Sequence, residues 1–102
     1  MADIVKDYTS IIWQAKVGQE KNFIAQFQKF AESAHKQGLI EATLLQEVDN
    51  QNNLVSFGLW KNAEAYKKWQ STPEYKDYMA KFKEQLCDIV QPKFLKSVVK
   101  VK

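Results

Sequence analysis

LWKNAEAYKKWQSTPEYKDYMAKF, from Leu59 to Phe82, is the stretch whose reading decides the fold. Trp60 closes an apolar strand. Tyr66 and Trp69 follow three residues apart, which places them on one face of a short helix. Ser71-Thr72-Pro73 then ends that helix and starts another. Thr72 before Pro73 suits a helix start, because proline's missing N–H would be unpaired at the first helical position anyway. Ser71 and Glu74 have capping-box spacing and offer an alternative start one residue earlier. Beyond the break, Tyr75, Tyr78, Met79, Phe82 and Leu86 recur at helical spacing, so two consecutive helices present aromatic faces to something the rest of the chain must supply.

Upstream, Ile11 to Val17 alternates as a half-buried strand, with Ile11, Trp13, Ala15 and Val17 on one side and Ile12, Gln14 and Lys16 on the other. Gly18 breaks it. A helix opens at Gln19-Glu20-Lys21, with Phe23, Ile24, Phe27, Phe30, Ala31 and Ala34 as its apolar stripe and Gly38 as its stop. Leu39 to Val48 and Leu54 to Trp60, joined by the polar turn at 49–53, read as a β-hairpin. In the second of these strands Val55, Phe57 and Leu59 oppose Leu54, Ser56, Gly58 and Trp60, so both faces carry apolar groups and both are expected to be covered. Downstream, the paired helices are expected to end near Val90, with Gln91-Pro92 as the stop. Phe94 to Val101 is expected to be the last strand, with Leu95, Val99 and Val101 on one face. Lysines at 93, 96, 100 and 102 are expected to guard its edge, with a basic patch as the alternative.

The order is therefore β-α-β-β-α-α-β, an α+β ferredoxin-like sandwich with a four-stranded antiparallel sheet and a divided second helix. Residues 1–10 are expected to form an N-terminal arm and 11–102 the domain. The helices cover one sheet face; a second copy of the chain is the economical cover for the other, giving a homodimer through the sheet face.

Composition removes several classes. All 15 basic residues are lysines and the net charge is only +3, which argues against a nucleic-acid partner because arginine is the residue of bidentate phosphate and guanine recognition. No apolar run reaches the roughly 18 residues of a membrane span, and the N-terminus lacks an apolar signal core, so no membrane partner and a cytoplasmic location are expected. Cys87 is the sole cysteine and His35 the sole histidine. No Cys/His/carboxylate cluster has metal spacing, and neither a glycine-rich phosphate loop nor a Ser/His/Asp set is present, so no metal or other cofactor is expected.

The strand ending in Val17-Gly18, GLIEATLLQEVD (38–49), LVSFGLWKNAEAYKKWQSTPEYK (54–76) and a closing apolar strand together resemble the antibiotic biosynthesis monooxygenase family of dimeric α/β-barrel proteins. The resemblance covers nearly the whole chain after its first ten residues. It implies a pocket between helices and sheet, and in some members oxidation of an electron-rich aromatic by molecular oxygen without metal or flavin. There the substrate supplies the electrons and the protein supplies binding, deprotonation and exclusion of water. In the haem-degrading branch, Trp69 matches the helix tryptophan, but Met79 stands at the histidine position and Ile11 at the asparagine position, so haem degradation is not expected.

A cofactor-independent monooxygenase acting on a small aromatic or quinol is the function this resemblance implies. The alternatives are a non-catalytic binder of a small apolar ligand and a structural dimeric module of the same fold. Trp69, Tyr66, Tyr78, Phe82, Trp60 and Met79 are the candidate substrate-binding residues; each could instead be core. His35, at the border of its helix stripe, is the candidate proton acceptor, with a half-exposed surface histidine as the alternative. Gln14, Gln46, Ser56 and the tyrosines complete the polar groups available to a pocket.

Overall fold

The computed structural model describes residues 7–99 and 101. Eight elements follow one another: β1 (Asp7–Ala15), α1 (Glu20–His35), β2 (Leu39–Gln46), β3 (Asn53–Trp60), α2 (Ala63–Gln70), α3 (Pro73–Lys81), a π-helical turn (Phe82–Leu86) and β4 (Cys87–Lys96). The strands form one antiparallel sheet in the order β2-β3-β1-β4, the ferredoxin-like arrangement. Among the described residues no helix is long and apolar enough to cross a membrane.

The helix covering consists of α1, α2 and α3. Phe23, Phe27, Phe30 and Ala34 of α1 are buried, whereas Ile24, expected in the same stripe, is exposed. They meet the sheet face made by Ile11, Trp13 and Ala15 of β1 and Leu54 and Trp60 of β3. Trp13 is the hub: its ring lies 4.8 Å from Phe82 and 5.0 Å from Phe23, with Phe27 and Phe30 edge-on at 5.9 and 6.2 Å. Tilted and edge-to-face pairs of this kind add stabilisation beyond the area they bury.

Local signals explain the helix boundaries. Asn62 caps α2 by accepting the Ala65 N–H at 2.8 Å, and Thr72 caps α3 by accepting the Tyr75 N–H at 3.1 Å, with Pro73 at the first helical position. Gly38, between α1 and β2, has φ +117°, and a Cβ there would lie 2.8 Å from the Ala65 Cβ. Glycine therefore serves twice, as a turn and as the point where the α1–β2 link presses on α2.

Three expectations need correction. β1 begins at Asp7, four residues before the expected Ile11, and ends at Ala15; Val17 sits in the following turn, exposed. Residues 1–6 of the expected arm lie outside the described residues. β2 ends at Gln46 and leaves Val48 exposed.

The largest change is at the last strand, which occupies Cys87–Lys96 rather than Phe94–Val101. The second helix pair ends at Leu86, not near Val90, through a π-turn whose widened pitch lets the Cys87 N–H reach the Phe82 carbonyl. The Leu86 carbonyl accepts the Lys16 N–H at 2.8 Å, which ties this turn to the end of β1. Pro92 then lies inside a strand instead of stopping a helix. β4 pairs only with β1 and so is an edge, where a missing N–H is tolerated. Lys93 and Lys96 do lie on this edge strand; Val99 and Val101 are beyond it and exposed, and Lys100 and Lys102 are outside the described residues.

Candidate functional site

The sheet register builds the floor of a cleft. Along β1 and β3 the rungs facing the helices are Thr9 opposite Gly58 and Ile11 opposite Ser56, with Trp60 and Trp13 one rung further out at either end. Each tryptophan leans inward along the sheet. The Trp60 indole Nε1 donates to Thr9 Oγ1 at 3.1 Å, and the Trp13 indole Nε1 donates to Ser56 Oγ at 2.9 Å. Thr9 and Ser56 are the buried polar residues of this face, 6% and 5% exposed. Opposite Thr9, Gly58 is closely packed: a Cβ there would lie 2.7 Å from Thr9 Oγ1 and 3.1 Å from Leu39 Cδ1, so glycine is what fits.

Above this floor is a narrow cleft of about 30 Å³. Phe27, Phe30, Ala31 and Ala34 of α1 form one wall, Tyr66 and Trp69 of α2 with Tyr75 of α3 the other, and Leu39 and Ala42 close the β2 side. The volume suits a water or an oxygen-sized group; an apolar cavity that takes up benzene measures roughly 150 Å³. A ring can enter only if side chains such as half-buried Tyr75 move outward.

The aromatic wall is held firmly. Trp69 is 1% exposed, with its ring 5.8 Å from Phe30 and 5.7 Å from Tyr75. Tyr66 packs 5.3 Å from Trp60 and stacks on Phe94 at 5.1 Å with planes 7° apart, and its hydroxyl accepts from Gln70 Nε2 at 3.0 Å. Burial pushes the Tyr66 phenol up to about 12, with Tyr75 adding a smaller push, so the hydroxyl stays protonated at neutral pH and acts as a donor rather than a base.

Of the residues singled out from the sequence, Trp60, Tyr66 and Trp69 line this cleft together. Tyr78, Met79 and Phe82 do not. Phe82 is wholly enclosed beside Trp13, Met79 is core, and Tyr78 turns into the α1–α3 seam, where its hydroxyl meets Ser33 Oγ at 3.3 Å. His35 is exposed at the end of α1, in a surface groove with Lys36, Lys61, Asn62 and Lys68, and does not line the cleft. Gln14 and Gln46 are spent on the β2–β3 turn region, Gln14 on Asn53 and Gln46 on the Gln51 carbonyl.

Thr9 and Gly58 are cleft residues that sequence reading passes over, and Tyr75 enters it only among the tyrosines available to a pocket. The alternation Thr9-Ile11-Trp13-Ala15 extends the β1 period back by two residues and was the available signal for Thr9. Among the described residues no three His, Cys, Asp or Glu side chains lie close enough to hold a metal ion.

The sequence profile described as antibiotic biosynthesis monooxygenase matches residues 10–81. No curated protein matches the chain. Among solved structures, SnoaB from Streptomyces nogalater, described as a cofactor-independent oxygenase, superposes with a TM-score of 0.85 at 17% identity, covering 95% of this chain and 97% of that one. A conserved protein from Methanosarcina mazei gives 0.79 at 17% identity over 92% and 94% of the two chains. Rv0793 from Mycobacterium tuberculosis gives 0.78 at 16% over 95% and 99%. At such identities these likenesses establish the fold.

Proposed function

The chain belongs to the antibiotic biosynthesis monooxygenase family, and from that membership we propose that it is a cofactor-independent monooxygenase acting on a small aromatic or quinol held in the cleft between helices and sheet. The observation that carries this reading is the cleft itself, where three aromatic faces from α2 and α3 stand over a floor with buried hydroxyls. Flat apolar walls with a few placed polar groups are what a planar aromatic needs for stacking and orientation.

The chemistry balances without a cofactor. A phenol with a free para position gives up its O–H and ring C–H hydrogens; one atom of dioxygen becomes the new quinone carbonyl, and the other leaves as water. The substrate supplies all four electrons. The protein's part is to hold the ring, favour its ionised form and keep water out. His35 has no part in this scheme, because it faces solvent away from the cleft.

The protein is also proposed to act as a cytoplasmic homodimer. Ile12, Leu45, Phe57, Ile89 and Leu95, on the sheet face away from the helices, are each 37–49% exposed, and a second copy laid face to face would cover them.

A second reading rests on the cleft's small volume. With Trp69 packed on both sides, the cleft is core with a residual void and the domain is a structural module. Oxygen uptake by the purified protein on a panel of benzoquinols, hydroxynaphthalenes and anthrones separates the two. The oxygenase reading expects uptake with one labelled atom from ¹⁸O₂ in the product, and a fall in turnover in Tyr66→Phe. No uptake on any panel member, with tryptophan fluorescence unmoved by all of them, leaves the structural module.

A further inference from the structure

We propose that Thr9 and Ser56 form a receptor for the ionised oxygen of a phenol-type ligand, so that the cleft binds its aromatic as the phenolate, oxygen end down against the sheet. This rests on the reading of the cleft as an aromatic site and adds which end of the ligand enters and in what form.

The argument starts from where the two hydroxyls spend their hydrogen-bonding capacity. Each accepts an indole N–H, Thr9 from Trp60 and Ser56 from Trp13. A hydroxyl that accepts from a fixed N–H must turn its own hydrogen elsewhere, and that hydrogen is then a donor in need of an acceptor. Among the described side chains and backbone groups neither hydroxyl has a protein acceptor. Two donors are thus left on neighbouring rungs of one buried sheet face. Leaving buried donors unused is costly in a packed core, whereas an incoming oxygen turns them into binding groups.

The space for that oxygen is present. Both residues line the cleft, and Gly58, opposite Thr9, carries no side chain to displace Thr9 Oγ1, which a Cβ there would meet at 2.7 Å. A void of about 30 Å³ takes an oxygen, and the attached ring lies higher, between Trp69, Tyr66 and the α1 wall, once Tyr75 moves outward.

Two features select an anion. Donation by an indole N–H polarises the hydroxyl and strengthens its own O–H as a donor. In addition, among the side chains the structure describes, no Asp, Glu, His or Lys lines the cleft to take the ligand's proton. Ionisation must come from stabilising the anion, as oriented donors in a water-poor site do for an oxyanion.

The test uses nitrophenols, whose anion and neutral form differ in visible absorption, titrated with the full-length protein across pH. The bound probe is expected to ionise at least about one unit below its free pKa, a roughly tenfold preference for phenolate. Thr9→Val and Ser56→Ala should each move the bound pKa back toward or above the free value. Thr9→Ser retains the hydroxyl and should retain the shift, which separates loss of the donor from loss of folding, checked by circular dichroism. A bound probe whose pKa is unchanged or raised, a shift that survives both Thr9→Val and Ser56→Ala, or no binding of any nitrophenol overturns the proposal. Oxygen uptake on the quinol panel without a probe shift sinks this inference and leaves the oxygenase reading. A probe shift without oxygen uptake does the reverse.

Discussion

Trp69 shows how one side chain can serve as wall and as core. Its indole is almost wholly enclosed between Phe30 and Tyr75, so Trp69→Ala removes a large buried ring next to a void too small to help its neighbours collapse. The expected loss is about 3–5 kcal/mol, a large part of what a domain of this size has to spare. Urea unfolding of wild type and variant measures it; a loss below about 1 kcal/mol would mean that α2 is held by something other than this ring. Cys87 acts differently. It is the first residue of β4 and buried, and burial, with a smaller push from Asp88 and a small opposing pull from Lys16, raises its thiol from the ordinary 9.0 to about 11. Below pH 9 the thiol is protonated in the folded and unfolded chain alike. Between pH 9 and 11 only the unfolded chain ionises, so stability falls as pH rises through that window, by on the order of 2 kcal/mol. Cys87→Ala should flatten this part of the profile, read as unfolding midpoints at pH 8 and 10.5 relative to wild type. Parallel profiles for the two proteins would rule the thiol out as the cause.

The two short helices depend more on their caps than on their length. Eight- and nine-residue helices are marginal alone, and each has a side-chain cap at its start. Thr72→Ala leaves the Tyr75 N–H without its acceptor and also removes the Thr72 hydroxyl donated to the Trp69 carbonyl at 2.7 Å. About 1 kcal/mol should be lost, a fall in Tm of roughly 4–8 °C by calorimetry, while Thr72→Ser should lose only a small part of it. An equal loss in both variants would place the effect in the methyl group's packing instead. The π-turn after α3 belongs to this scale too. It redirects the chain from helix to edge strand within five residues, between Phe82 in the Trp13 cluster and Leu86 bonded to the end of β1.

For the whole molecule, the asymmetry of the sheet is what matters. One face is sealed by three helices, and the other shows exposed Ile12, Leu45, Phe57, Ile89 and Leu95. The proposed homodimer would use this apolar face as its association surface. Sedimentation at micromolar concentration should give a species of twice the 11.9 kDa chain mass, through an interface of roughly 2,000 Å² or more in total. Phe57→Asp, at the centre of that face, should shift the equilibrium to monomer with the circular dichroism spectrum kept. A single species of chain mass for wild type would remove the dimer and leave the face needing another cover.

Several features were determined by the sequence alone because they are local. The 3.6-residue stripe of α1, the two-residue alternation of β3, the Thr72-Pro73 start of α3 and the turn at Gly38 depend on neighbours within a few positions, and each is where the residues place it, Ile24 of the stripe excepted. The β-α-β-β-α-α-β order follows from them. The start of β4 was not legible. Helical spacing from Tyr75 to Leu86 continues smoothly toward Val90, and it is pairing with β1, seventy residues away along the chain and begun by the Lys16–Leu86 bond, that takes the chain out of the helix at Leu86 and puts Pro92 at an edge. The cleft was legible only in part. Which aromatics face it depends on register: Thr9 opposite Gly58 and Ile11 opposite Ser56 bring together residues more than forty positions apart, and the two indole–hydroxyl bonds exist only in that pairing. Periodicity placed Trp60, Tyr66 and Trp69 on the right faces, but it could not separate them from Phe82 and Met79, because a stripe records which side of a helix is apolar and not what stands opposite. The tertiary structure decided that, by setting Trp13 against Phe82 and Gly58 beneath Trp69's wall.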